Sequence, residues 1–299
     1  MAKKSTKKTS AKVKTVEEII SYLKELSEDF EQDHTDTFLS HVEASDARVR
    51  NVAIRCLWEA NLEQVWPVLK SHAHGDPDAE VRATAFSVMG RYMYEEMLHD
   101  VQGLDGEEIE APMALLREVH AFLAESLANE NLAVLERRRS LEALSYNPGP
   151  AELALMEAWN RSEDNDLRMT AVFAMGRSAL EQFKPHVLAA LHDPQLDVRR
   201  EAIRAIGEGG YQDCIPQLEA LIIGGDRDLM FEAVAALGEV GGSQAIAILE
   251  GLTQTNDAEL AELAEVAMVN AQELQMFEEY QDSLEKEEEE PDNRAYLKH

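Results

Sequence analysis

The stretch Asp197-Val198-Arg199-Arg200-Glu201-Ala202-Ile203-Arg204-Ala205-Ile206-Gly207 decides the fold. Val198, Ala202, Ala205 and Ile206 recur at the spacing of one helix face, with charged residues between them. Thirty-one residues upstream, Leu167, Ala171, Ala174 and Met175 repeat the set. Downstream, Leu229, Ala233, Ala236 and Leu237 repeat it, and Leu260, Ala264, Ala267 and Met268 repeat it again at the same interval. With the first residue of each set as anchor, the frame extends upstream to Val81 and Val49, and a degenerate unit begins at Glu136. That makes seven units, and the spacing breaks once, where 55 residues separate Val81 from Glu136.

Each unit carries its own punctuation. An aspartate precedes the anchor by three residues at Asp46, Asp78, Asp164, Asp226 and Asp257. Asp76-Pro77 and Asp193-Pro194 fit an N-cap followed by proline at the first helical position. Glycine nine residues after the anchor (Gly90, Gly176, Gly207, Gly238) is expected to close the helix. Proline eighteen residues after the anchor (Pro67, Pro185, Pro216) is expected near the start of a second helix. Each unit therefore predicts helix A, a turn and helix B, and the period predicts an all-α, right-handed α-solenoid of about seven helix pairs. The expected organisation is a disordered basic tail over 1–14, N-terminal capping helices over 15–45, the repeat solenoid over 46–277 and an acidic tail over 278–299. The insertion at 92–115 is expected as a loop, its acidic part running from Gly103 to Glu110. The last A helix is expected to pass Leu274 toward Tyr280 and give way to a solvated acidic run, Glu285–Glu290.

Charge is the second strong feature: 58 Asp and Glu stand against 28 Lys and Arg, a formal net charge of −30. The tails do not account for it. Lys3, Lys4, Lys7, Lys8, Lys12 and Lys14 make the head basic, and nine acids with Lys286 lie between Glu278 and Asp292, so most of the excess belongs to the repeats. Such a body repels phosphate backbones and attracts basic protein segments, which makes nucleic acid an unlikely ligand except weakly through the Lys-rich head. No apolar run approaches a membrane span. Two cysteines form no disulfide framework, so a cytoplasmic setting is expected.

The units Asp78-Ala79-Glu80-Val81-Arg82-Ala83-Thr84-Ala85 and Asp197 to Gly207 resemble bacterial short HEAT repeats, of the type also found in phycobilisome lyases. The resemblance covers roughly Asp46 to Leu274. It implies that the arginine after each anchor (Arg50, Arg82, Arg137, Arg168, Arg199) stacks into a ladder and pairs with an aspartate of a neighbouring unit. Met230 and Ala261 take its place in the last two units, so the ladder is expected to end before the C-terminus. The family includes adaptors, bilin lyases, a DNA glycosylase type and a di-iron hydroxylase. The hydroxylase uses His-Glu dipeptides as iron ligands, and this chain contains none. The glycosylase type relies on a basic face, which an acidic body cannot easily supply.

No residue is assigned a catalytic, cofactor-binding or metal-ligating role. His72-Ala73-His74-Gly75-Asp76 sets two imidazoles and a carboxylate in one short stretch, but that pattern is a weak metal signal and a solvated turn accounts for it. Cys56 stands where alanine or valine stands elsewhere and is expected to pack. Cys214 lies near the start of a B helix, with no histidine close in sequence to activate it. Trp58 and Trp66 are expected to anchor the N-terminal cap, with exposed partner anchors as the alternative, and Trp159 poses the same choice. The function expected is a monomeric, non-catalytic protein–protein scaffold or adaptor whose acidic surface binds a basic or amphipathic partner, without cofactor. The alternative is a lyase-like enzyme or carrier cradling a tetrapyrrole-type cofactor on the concave face.

Overall fold

A computed structural model describes residues 15–102 and 107–289, with side chains apart from 95–112, 278 and 282–289. The basic head 1–14, residues 103–106 of the expected Gly103–Glu110 loop and the last residues from 290 lie outside the described residues. The chain divides into two units, the first reaching Leu144 and the second beginning at Ser145.

The first unit begins with α1 (Val16–Ser27), started by a capping box in which Thr15 and Glu18 satisfy each other's backbone amides, and a short α2 (Thr35–Leu39). Then come α3 (Ala47–Arg55), which tightens into a 3-10 turn at Cys56–Glu59, α4 (Leu62–Gly75), α5 (Ala79–Gln102), α6 (Glu107–Ala128) and α7 (Val134–Leu144). The second unit continues with α8 (Pro150–Asn160), α9 (Asn165–Arg177), α10 (Lys184–Ala190), α11 (Leu196–Glu208), α12 (Ile215–Gly224), α13 (Arg227–Val240), α14 (Gly242–Thr253) and α15 (Ala258–Glu289). Helices α3, α5, α7, α9, α11, α13 and α15 are the A helices; the alanines of the frame are buried, as are its anchors except the half-buried Leu167, and Val198, Ala202, Ala205 and Ile206 show the full set. Among the described residues A and B helices alternate along the chain, and the series ends on an A helix, α15, with no B helix after it. The architecture is all-helical and solenoid-like.

The aspartates three residues before the anchors cap as expected. Asp46 accepts from the Arg48 amide, Asp78 from Glu80 and Val81, Asp164 from Asp166 and Leu167, Asp226 from Leu229, and Asp257 from Leu260. Asp76 and Asp193 are not N-caps, because α5 and α11 begin only at Ala79 and Leu196; their carboxylates accept the Asp78 and Gln195 amides and face arginines. Arg50 donates to Asp76 through Nε and Nη2 at 2.8 and 2.7 Å, and Arg168 donates to Asp193 at 2.8 and 3.1 Å. The backbone oxygens of the same two aspartates accept from Arg82 and Arg199, each at 2.8 Å, so each aspartate joins two successive arginines. Burial pushes both carboxyls up, but the arginine and amide bonds outweigh it and hold them below the usual carboxylate range.

The glycines nine residues after the anchor do not close helices. Gly90 lies in the middle of α5, and Gly176, Gly207 and Gly238 lie inside α9, α11 and α13. Each faces the alanine at the seventh position of the next A helix. A Cβ added to Gly176 would stand 2.5 Å from the Ala205 Cα, and one on Gly238 would stand 2.9 Å from the Ala267 Cα. On Gly207 it would stand 3.2 Å from the Ala236 Cα, and on Gly90 3.3 Å from the Ala143 Cα. The left-handed residue that ends the A helix comes three positions later, at Ala179, Gly210 and Gly241, with φ of 49°, 61° and 67°.

Three other expectations are corrected. The insertion is largely helix, because α5 runs on to Gln102 and α6 begins at Glu107. Helix α15 continues unbroken through the acidic run to Glu289. Pro67 lies inside α4, which starts five residues earlier with Asn61 as its side-chain cap, whereas Pro185 and Pro216 do sit in the first turns of α10 and α12.

Candidate protein-binding groove

A concavity lies in the first unit. It is a groove of about 650 Å³ between the loop that follows α1 and the 3-10 turn that follows α3. The loop is fixed by its own carboxylates. Asp29 accepts from the Glu31 amide at 3.1 Å and is 2.9 Å from His34 Nε2, while Asp33 accepts from the Thr35 amide at 2.8 Å. The His34 bond, followed by that from Glu31, holds Asp29 below its usual pKa range, and the bonds from Thr35 do the same for Asp33. Both acids are therefore charged at neutral pH. Locking the loop this way turns Phe30 outward, where it is 85% exposed.

Trp58 supplies the opposite wall. It occupies the ninth position after the anchor, where four other units carry glycine, and α3 has already given way to the 3-10 turn there. Its ring is 43% exposed. Buried Phe38 lies beneath, edge-on to His34 at 6.4 Å. Glu31 and Glu59 join Asp29 and Asp33 around the rim, facing Lys24 and Arg55. The result is an aromatic-walled groove with an acidic margin, which suits an apolar anchor flanked by positive charge.

The sequence singled out Trp58 but did not separate it from Trp66. Trp66 is buried and packs edge-to-face on Phe122 of α6 at 5.4 Å, so it secures the long second pair and does not hold the cap. Trp159 is buried as well. Phe30 went unnoticed because an aromatic in an acidic loop carries no periodic signal. A second, shallower depression lies between the B helices α12 and α14 of the other unit, lined by Ile222, Ile223, Ala247, Ile248 and Leu252.

The histidine pair sits in the last turns of α4, not in a turn. His72 is buried, its ring nitrogens 2.9 and 3.0 Å from the carbonyl oxygens of Val68 and Val42. His74 points to Ser126 and stacks on Phe122 at 4.5 Å. Asp76 belongs to Arg50, so the three groups do not converge. Among the described residues no three metal-ligating side chains do. Cys214 is buried, and desolvation followed by the neighbouring Asp213 pushes its thiol up to about 11, the opposite of nucleophile activation. Cys56 faces the Leu23 carbonyl oxygen at 3.7 Å, and burial raises its thiol too.

The buried acid Glu136 was missed by sequence reasoning. It replaces the apolar anchor of its unit and accepts from Arg82 Nε at 2.6 Å while only 2% exposed. A break in the anchor pattern was its only visible signal.

Comparison with known proteins fits this architecture. Residues 184–268 match the family model described as HEAT repeats. No curated protein matches by sequence. Among solved structures, the chain is similar to the CpcE and CpcF complex of phycocyanin lyase from Nostoc sp. PCC7120, at 18% identity over 80% of this chain and 95% of that one, with a TM-score of 0.48. It is similar to YibA of E. coli at 17% identity, over 85% of this chain and 86% of that one, with a TM-score of 0.43. Yeast importin-beta (Kap95p) is similar at 15% identity with a TM-score of 0.49, over 85% of this chain and 38% of that one. Among the described residues, no helix is long and apolar enough to cross a membrane.

Proposed function

We propose, for a chain whose residues 184–268 match the HEAT-repeat family model, a non-catalytic scaffold or adaptor that binds a protein partner through the acidic, aromatic-walled groove of its first unit. The observation that carries this reading is the placement of Phe30 and Trp58, exposed across a groove edged by Asp29, Glu31, Asp33 and Glu59. Large rings held on fixed backbone lose little entropy on binding, and the charged rim steers a basic or amphipathic segment toward them. The protein acts as a monomer in the cytoplasm, a setting that suits its strong negative charge and two unpaired cysteines.

The test is native mass spectrometry of the full chain captured from its own host at low salt, beside a Phe30→Ala/Trp58→Ala variant. A stoichiometric protein partner that is released as salt rises, and is lost from the variant, supports the reading. Equal capture by both forms removes the groove from it. Co-purifying colour or a small bound mass with no protein partner overturns it.

A further inference from the structure

We propose that the outward face of α15 docks a basic amphipathic helix of a partner protein. This deepens the scaffold reading but does not use the groove, and it lies in the second unit. Val266, Val269, Met276 and Phe277 are 56%, 49%, 62% and 59% exposed. At about 100° per residue they fall within one arc of about 100°, opposite the buried Leu260, Ala264, Ala267 and Ala271. The arc continues through the exposed Tyr280.

This is the face through which each earlier A helix of the unit receives its successor. Gly176, Gly207 and Gly238 stand there on α9, α11 and α13, against Ala205, Ala236 and Ala267. The equivalent position on α15 is Val269. The end of a repeat array ordinarily turns a polar face outward, but here the row is apolar. A helix is the element that fits, since that is what the same face accepts three times over. With valine, methionine and phenylalanine in place of glycine, the visitor stands further off and interdigitates side chains.

Charge selects the visitor. From Ala258 to Gln281 α15 carries six acids and no lysine or arginine, and Glu262 and Glu273 share the apolar arc. A second copy would set the same acidic row against it. The chain's own head brings lysines but only Met1 and Val13 as large apolar residues, too little to cover the row. A helix with an apolar stripe and lysine or arginine along its margins satisfies both halves of the surface.

The test uses the full chain and a dye-labelled synthetic 18-residue helix with leucine on one face and lysine on its margins, read by fluorescence anisotropy. Wild type is expected to bind, more weakly as salt rises. Met276→Gln/Phe277→Gln and Glu262→Lys/Glu273→Lys should each weaken binding at least tenfold without moving the circular-dichroism melt, since these side chains are exposed. Because the groove takes the same kind of segment, the α15 variants are read in the Phe30→Ala/Trp58→Ala background, which should retain the binding contributed by α15. Loss of binding only in the Phe30/Trp58 variant would overturn the α15 assignment and leave the scaffold reading standing. Equal binding of a helix with glutamate margins would overturn the charge selection. A dimer in sedimentation that disappears in Met276→Gln/Phe277→Gln would assign the face to a second copy and overturn the proposal.

Discussion

Where Arg168 meets Asp193, both partners occupy the positions the 31-residue period assigns them; where Arg82 meets Glu136, the carboxylate has moved to an anchor position that is apolar in every other repeat. At Asp193, as at Asp76 in the first unit, the acid sits in the turn five residues before the next anchor. Before Glu136 the long α5 and α6 displace that turn, its equivalent residue is Asn131, and the helix itself supplies the acid. Arg50, Arg82 and Arg168 thus each take a carboxylate although it comes from two different places, while Arg199 bonds to carbonyl oxygens. A guanidinium held at that depth is costly to leave unpaired, whatever the local spacing.

The comparison breaks most sharply at the acids. Asp193→Ala and Glu136→Ala should each lower stability by about 3 kcal/mol in urea denaturation, since each leaves a largely buried arginine uncompensated. The two sites part in the double variants. Arg82→Leu/Glu136→Leu should recover most of the loss by restoring an apolar anchor, whereas Arg168→Leu/Asp193→Leu should not, because Asp193 also accepts the Gln195 amide. Equal recovery at both sites would mean that Glu136 does not take over the turn acid's role.

The helix contacts give the next effect. Gly176→Ala should cost about 2 kcal/mol, because its methyl would enter the Ala205 backbone, while Gly90→Ala should be close to neutral, its 3.3 Å approach offset by the better helix propensity of alanine. Matching losses in thermal melts would refute the tighter joint of the second unit.

Acid titration separates the units less strongly. The folded pKa values of Asp76 and Asp193 are lowered, so their stabilisation is complete above the unfolded value of about 4 and is lost as pH falls through the folded value. Asp193→Asn should flatten the fall in urea midpoint below about pH 4, and Asp76→Asn should do the same in the first unit. An unchanged acid slope in both variants would remove these carboxyls as its source. Smallest of all, Ala179→Gly should raise stability by about 0.5 kcal/mol, since Gly210 and Gly241 already hold that left-handed position in the following repeats. A drop in melting temperature would count against strain at Ala179.

Much of the fold was legible in the chain because the anchors, the alanines and the aspartate caps repeat a local signal with a local cause. The glycines were misread for a physical reason. Glycine serves both as a helix stop and as a point of close helix contact, and only the partner's position, thirty-one residues away, tells them apart. The stop lay three residues later and could not be recognised where it is alanine, at Ala179. The insertion misled because its glycines and acids read as loop, while the helices on either side continue into it. At the candidate groove, Trp58 stood out by replacing a glycine. Phe30 acquires its exposure from hydrogen bonds of Asp29 and Asp33 that no spacing rule encodes.

The row Gly176–Ala205, Gly207–Ala236, Gly238–Ala267 has a consequence for how such a chain can change over generations. Every joint is made by the same two positions, so removing or duplicating one 31-residue block within the row rejoins a glycine face to an alanine face of the same shape. Length can therefore vary there in whole repeats without redesign of an interface.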